Sequence, residues 1–308
     1  MRLSLLLPAR KHVESATAVA RWLARGDRID DGAVGRDAAL RECFSTGAAI
    51  LPTAALTRSL DANDAADALW LRADPAFVMA DAVTLRLLAC GKLGLSADET
   101  AAFAQTLKPL FGDAGFAFDA PHPERWYLSC ASGAPLPKFS APADALGDDL
   151  ANHLPEGEQA RRWRALLNEA QIALTQHPLN ARRSQRGVPP VNSLWFWGAG
   201  MLPARVRSEF DRVVSDDPVV VALAGLANVP SSQLESNLRW DDGKERVLID
   251  LADRRDIPRL DAEWLRPIDE TLRRRRIERL ELRFESGERH VVRPAHRWRF
   301  WRRAKTSA

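Results

Sequence analysis

The chain has 308 residues, 46% of them hydrophobic and 28% charged, with a formal net charge of +3. That length suits one large domain or two ordinary ones with a sizeable core, and the composition excludes a disordered or fibrous chain. A charge so near balance excludes a surface-wide field that would draw nucleic acid, although the stretch from Ser231 onward has a basic surplus. No run approaches the ~18–20 apolar residues needed to cross a bilayer, so no membrane partner is expected. Cys43, Cys90 and Cys130 stand far apart without CxxC spacing, which argues against a disulfide framework or a zinc site and for a cytoplasmic location.

In chain order, Leu3–Leu7 reads as a first strand, too short for the apolar core of a signal peptide. Glu14–Arg25 reads as a helix with Ala18, Val19, Trp22 and Leu23 on one face, and residues 26–46 as loops around one short helix. Leu69–Leu71 reads as a short strand ending in a turn at Arg72-Ala73-Asp74-Pro75, and Asp81–Cys90 as a helix. Ser96 and Glu99 have capping-box spacing for a helix that buries Phe103, Leu107 and Leu110. Phe116–Phe118 and Trp126–Cys130 read as a hairpin, Ser132–Ala145 as a Pro- and Ala-rich mobile loop, and Arg161–Gln176 as an amphipathic helix. Val219–Leu223 and Val247–Leu251 read as buried strands, and Leu280–Phe284 with Arg289–Val292 as a second hairpin. Strands and helices mix throughout, which implies an α/β fold with a mixed central sheet flanked by helices. Residues 1–230 are expected to form the core, with 231–308 packing on it.

The segment from His177 to Gly200, HPLNARRSQRGVPPVNSLWFWGAG, concentrates special backbone and donor chemistry. Pro178 disfavours helical geometry at His177, Asn180 suits a local turn, and Asn192 precedes the strand Ser193–Trp197. Gly198 and Gly200 leave room for close backbone approach. Two readings stand at this point. In one, Arg182, Arg183 and Arg186 hold a phosphate or carboxylate, and His177, Asn180, Arg183, Asn192, Gly198 and Gly200 form a ligand site. In the other, the segment is a solvated basic loop whose asparagines only stabilise turns.

The motif His177-Pro178-Leu179-Asn180-x-x-Arg183, with Gly187, Pro190-Val191-Asn192 and Gly198-Ala199-Gly200, resembles a segment of the archaeal-type, cofactor-independent phosphoglycerate mutases. The resemblance covers about a third of the chain, residues 126–203, and implies elements of the domain inserted into an alkaline-phosphatase-like core. Over essentially the whole chain, the run Pro190-Val191-Asn192-Ser193-Leu194-Trp195-Phe196-Trp197 and the ending Trp298-Arg299-Phe300-Trp301-Arg302-Arg303 are similar to bacterial regulatory proteins of the RpfE type. The mutases require an Asp-Gly near the first strand, a serine nucleophile and Asp/His ligands for two metal ions. This chain instead opens Leu5-Leu6-Leu7-Pro8-Ala9, has no Asp-His pair, and carries Trp197 where the mutase segment has an arginine. The resemblance therefore implies a mutase-like protein without the catalytic core, regulatory or binding a phosphorylated small molecule. The alternatives are a working mutase-like enzyme with a rearranged site and a nucleic-acid-binding regulator.

Asp149 and His153, four residues apart near Asp144 and Asp148, have metal-sharing spacing, but a polar loop explains them equally, and no metal or cofactor is assigned. No Gly-x-Ser-x-Gly elbow, Walker loop or Rossmann fingerprint occurs. Near the C-terminus, basic residues alternate with His296, Trp298 and Phe300. That is the pattern of a strand with one buried face, and it is read as packing in preference to stacking on bases.

Overall fold

The computed structural model describes residues 1–29, 31–81, 84–235, 244–299 and 301–302. The chain divides into two compact units, Met1–Ile50 with Ala204–Ala308, and Leu51–Pro203. The division does not fall near residue 230, because strands on either side of that position share one sheet: Arg212–Val214 lies parallel to Arg246–Asp250.

The first unit is built on a seven-stranded mixed sheet. Its first strand, Arg2–Leu7, lies parallel between Arg246–Asp250 and Arg279–Phe284, with Leu3 opposite both Val247 and Leu280. Leu3, Leu5, Leu6 and Leu7 are all buried, the signature of a parallel strand covered on both faces. Arg212–Val214 and Ser231–Ser232 extend the parallel set on one side. On the other, Arg289–Val292 folds back as the expected hairpin, and Asp27–Arg28 pairs antiparallel at the edge. Val19, Trp22, Trp264, Ile268 and Leu272 pack with the sheet into one apolar core. The expected mixed α/β class is what the chain adopts.

Two expectations for this unit fail on local chemistry. Pro218–Leu226 is a helix, not a strand: Asp217 caps it through Val219 N and Pro218 sits in its first turn. A continuous apolar run carries no period that separates the two, so the cap decides. Residues Pro294–Trp298 form a 3₁₀ turn instead of a strand, which buries His296 and leaves Trp298 62% exposed. Phe300 lies outside the described residues.

The second unit is an antiparallel five-stranded sheet covered by helices. Leu69–Ala80 is one strand of twelve residues, not a short strand and a turn, and it pairs with Arg125–Cys130, Leu85–Cys90 and Ser193–Met201. Arg72 and Asp74, which read as turn residues, stand two apart on one face. They neutralise each other at 2.7 and 2.8 Å, so the strand buries both. The expected helix at Asp81–Cys90 is instead the strand Leu85–Cys90; residues 82 and 83 lie outside the described ones. The capping box of Ser96 and Glu99 is present and starts the helix Ala97–Asp113. This helix and Ala160–Thr175 bury Phe103, Phe111, Trp163 and Leu174 against Trp126 and Phe196. The Pro-rich stretch after Ser132 is tied down. Phe139 packs on Trp163 and Phe196, and Trp195 donates to Ser140 O at 2.9 Å.

Candidate functional site

The two asparagines of the 177–200 segment both converge on backbone. The Asn180 amide meets the N–H and C=O of Val191 at 2.9 and 2.8 Å and also donates to Leu174 O. The Asn192 amide does the same for Val78, at 2.9 and 2.8 Å. Each side chain thus imitates one residue of an antiparallel ladder where the backbone itself cannot continue it. His177 does not end in an open turn. It caps the helix Pro178–Gln185, with Nδ1 accepting from Leu179 N, and its ring lies 4.6 Å from Phe103. Burial lowers its pKa, which keeps the imidazole neutral and able to accept.

Arg183 is fully buried, and its nitrogens are already engaged. Nε donates to Pro189 O, Nη1 to Glu99 Oε2 and Nη2 to Leu93 O, at 2.6–3.0 Å. It closes the Gly187–Pro190 turn onto the start of the Ala97–Asp113 helix and presents nothing to a bound anion. A Cβ on Gly200 would stand 2.4 Å from Pro52 Cβ. Gly198 has φ +68° and lies against Thr53. Both glycines admit the helix Thr53–Asp61 against the strand. The six residues expected to bind a ligand are therefore engaged within the fold: His177 caps a helix, Asn180, Arg183 and Asn192 hold backbone groups, and Gly198 and Gly200 let a helix approach the strand.

In a sheet with parallel strands, ligands bind outside the carboxyl ends of those strands. In the first unit that edge carries Ser215 after Arg212–Val214, Asp250 at the end of Arg246–Asp250, and Glu285 after Arg279–Phe284. Gly32 N and Gly35 N donate to Gly287 O and Glu285 O, at 2.7 and 2.8 Å. That loop starts the helix Arg36–Cys43 and sends Arg36 across the edge. Its Nη1 and Nη2 reach the two oxygens of Asp250 at 3.1 and 2.7 Å, while Nε and Nη2 reach Asp217 Oδ2. Burial opposes the charge, but Asp250 and Asp217 outweigh it and raise the Arg36 pKa. Burial also pushes the Glu285 carboxyl up, against the pull of Arg36 and Arg255. Ser215 is buried, donates to Asp250 Oδ2 at 2.9 Å and accepts from Asp217 N. Sequence reasoning missed Arg36, Asp217 and Asp250. Their only signals were a Gly-Arg step, an Asp-Pro cap and an aspartate closing an apolar strand.

No protein-family model matches the chain. Over 62 residues, 20% of its length, it is 44% identical to a probable 2,3-bisphosphoglycerate-independent phosphoglycerate mutase of Geobacter sulfurreducens. Over 66 residues it is 36% identical to the 2,3-bisphosphoglycerate-independent phosphoglycerate mutase of Methanothrix thermoacetophila. A segment of this chain resembles the cofactor-independent phosphoglycerate mutases. The matches span only 16% and 17% of those two relatives' lengths. Among solved structures, the cofactor-independent phosphoglycerate mutase from Thermoplasma acidophilum is 17% identical with a TM-score of 0.41, covering 94% of this chain and 89% of that one. The PH0037 protein from Pyrococcus horikoshii is 12% identical with a TM-score of 0.46, covering 95% and 87%.

The metal pair implied by a mutase resemblance does not fit the carboxyl edge. Asp217 and Asp250 are bridged by a guanidinium; the second Asp217 oxygen accepts from Val219 N, the two Asp250 oxygens accept also from Ala252 N and Ser215, and Ser215 is enclosed. Among the described residues, no group of three or more His, Cys, Asp or Glu is arranged to hold a metal ion. Asp149 caps the turn Leu150–His153 through Ala151 N, and His153 pairs with Asp148 at 3.0 Å. No helix among these residues is long and apolar enough to cross a membrane.

Proposed function

We propose that this chain is a phosphoglycerate-mutase-like protein that does not perform metal-dependent phosphotransfer and serves a regulatory or binding role toward a phosphorylated small molecule. The observation that carries the reading is Arg36. Its guanidinium already supplies the cation between Asp217 and Asp250 at the carboxyl edge. A planar fork with hydrogen bonds to both carboxylates satisfies them, and a divalent ion would have to displace a partly buried, paired charge. The similarity of the Pro190–Trp197 run and of the C-terminal motif to regulatory proteins of the RpfE type supports a regulatory role. The free cysteines Cys43, Cys90 and Cys130 suit a reducing, cytoplasmic setting.

The test is a phosphoglycerate mutase assay of the purified chain with and without Mn²⁺, paired with elemental analysis. No turnover and no stoichiometric transition metal are expected. Turnover that depends on added Mn²⁺ would establish the alternative, an active enzyme with a rearranged site.

A further inference from the structure

A half-open cavity of about 40 Å³ in the first unit lies between the helices Thr17–Arg25 and Arg266–Arg273 and the turn Pro294–Trp298. By the same measure a single water needs roughly 10–15 Å³, so the space suits a group of a few oxygens and not a drug-sized body. Trp22, Leu272, Val292 and Pro294 supply apolar walls. Five arginines, Arg21, Arg25, Arg273, Arg293 and Arg297, face one carboxylate in the lining, Asp269.

That carboxylate is already fully used. Asp269 accepts from Trp22 Nε1 at 2.9 Å and from Arg21 Nη1, and it also pairs with Arg273 at 2.9 Å. The remaining three arginines are weakly engaged. Among the described residues, Arg25 reaches the Arg297 carbonyl at 3.4 Å, Arg293 stands 3.6 Å from Asp27, and Arg297 lies over the Trp298 ring. His296, also in the lining, faces Asp27 at 3.3 Å, while Arg299 hydrogen-bonds Asp27. Arginine residues lining an apolar-walled hollow, with their neighbouring acids committed, can turn their guanidinium forks to an oxyanion held there.

We propose that this cavity binds the phosphate group of a small molecule, with Arg25, Arg293 and Arg297 as its donors. The site shares no residue with the 177–200 segment or with the carboxyl edge described above, and the proposal rests on the binding half of the function given above. Calorimetric titration of the full chain with inorganic phosphate, at constant ionic strength set by chloride, tests it. Saturable binding is expected, weakened about tenfold or more by Arg25→Gln and again by Arg297→Gln, as for loss of a charge-assisted bond. Arg259→Gln, which removes an exposed arginine paired with Glu263, leaves the affinity unchanged. Melting curves of each variant establish that it is folded. Phosphate binding that survives both cavity substitutions overturns the site while the binding role stands. No binding of phosphate beyond chloride, or of a phosphorylated metabolite, overturns both.

Discussion

Arg183 and Glu99, 84 residues apart in sequence, form a buried ion pair in which Nη1 donates to Oε2 at 3.0 Å. The same Glu99 oxygen accepts from Ser96 N in the capping box, so one carboxylate starts a helix and anchors the Gly187–Pro190 turn. Removing Arg183 leaves Glu99, Leu93 O and Pro189 O short of donors in the interior. Arg183→Met is expected to cost about 3–5 kcal/mol in chemical denaturation, the range for breaking a buried pair. Phosphate affinity should stay at the wild-type value; a large loss of affinity without loss of stability would restore the segment as a ligand site.

Arg36→Ala strips the counter-charge from Asp217 and Asp250, the latter with a side chain only 4% exposed. A loss of about 3–5 kcal/mol is expected by the same reasoning. Arg36→Lys should rescue little of it, because a single ammonium cannot present parallel N–H groups to two carboxylates. Full rescue by lysine would show that charge alone suffices at the carboxyl edge.

His290 is buried at the edge of the hairpin, and among the described residues neither ring nitrogen has a hydrogen-bond partner. Burial lowers its pKa, and Arg10 and Arg28 add to this against Glu288 and Asp31. The unfolded chain therefore takes up a proton at higher pH than the folded chain does. The stabilising contribution is complete above the unfolded value near 6.5 and declines as pH falls toward the lower folded value. Urea midpoints should drop over that interval, and His290→Phe should flatten the slope. Some slope will remain, since burial also lowers His122, His177 and His296.

Trp298, which the alternating pattern places in the core, is instead exposed. Trp298→Ala removes a ring packed under Arg297, a contact worth about 0.5–1 kcal/mol at an exposed site. A melting temperature shifted by several degrees would contradict that placement. Because packing no longer accounts for this ring, single-stranded DNA affinity of the same variant also tests the nucleic-acid alternative, for which no change is expected.

Gly200→Ala sets a methyl 2.4 Å from Pro52 Cβ and 3.0 Å from its Cα. Relief requires the start of the Thr53–Asp61 helix to shift, at a cost of about 1–3 kcal/mol. Gly147→Ala is a useful contrast. It meets no atom within 4 Å, and any loss there comes from φ +83° alone.

Where the local signal had one meaning, the sequence by itself determined the structure. Leu3–Leu7 read as a first strand, Ser96 and Glu99 as a helix start, and the two hairpins carried turn residues at the right spacing. Val219–Leu223 was ambiguous because an all-apolar run has no period, and only the Asp217 cap and Pro218 settle it as a helix. Arg72-Ala73-Asp74-Pro75 was read as a turn because a charged pair looks solvated until its members neutralise each other inside a sheet. The asparagines were legible as residues that hold backbone, since their short amides act locally. Arg183 was not, because what a long arginine does depends on which carboxylate the fold brings within 3 Å. The same holds for the carboxyl edge: Arg36, Asp217 and Asp250 are separated by 181 and 214 residues from arginine to aspartate. Nothing in a chain read linearly joins them; the parallel register of the sheet does.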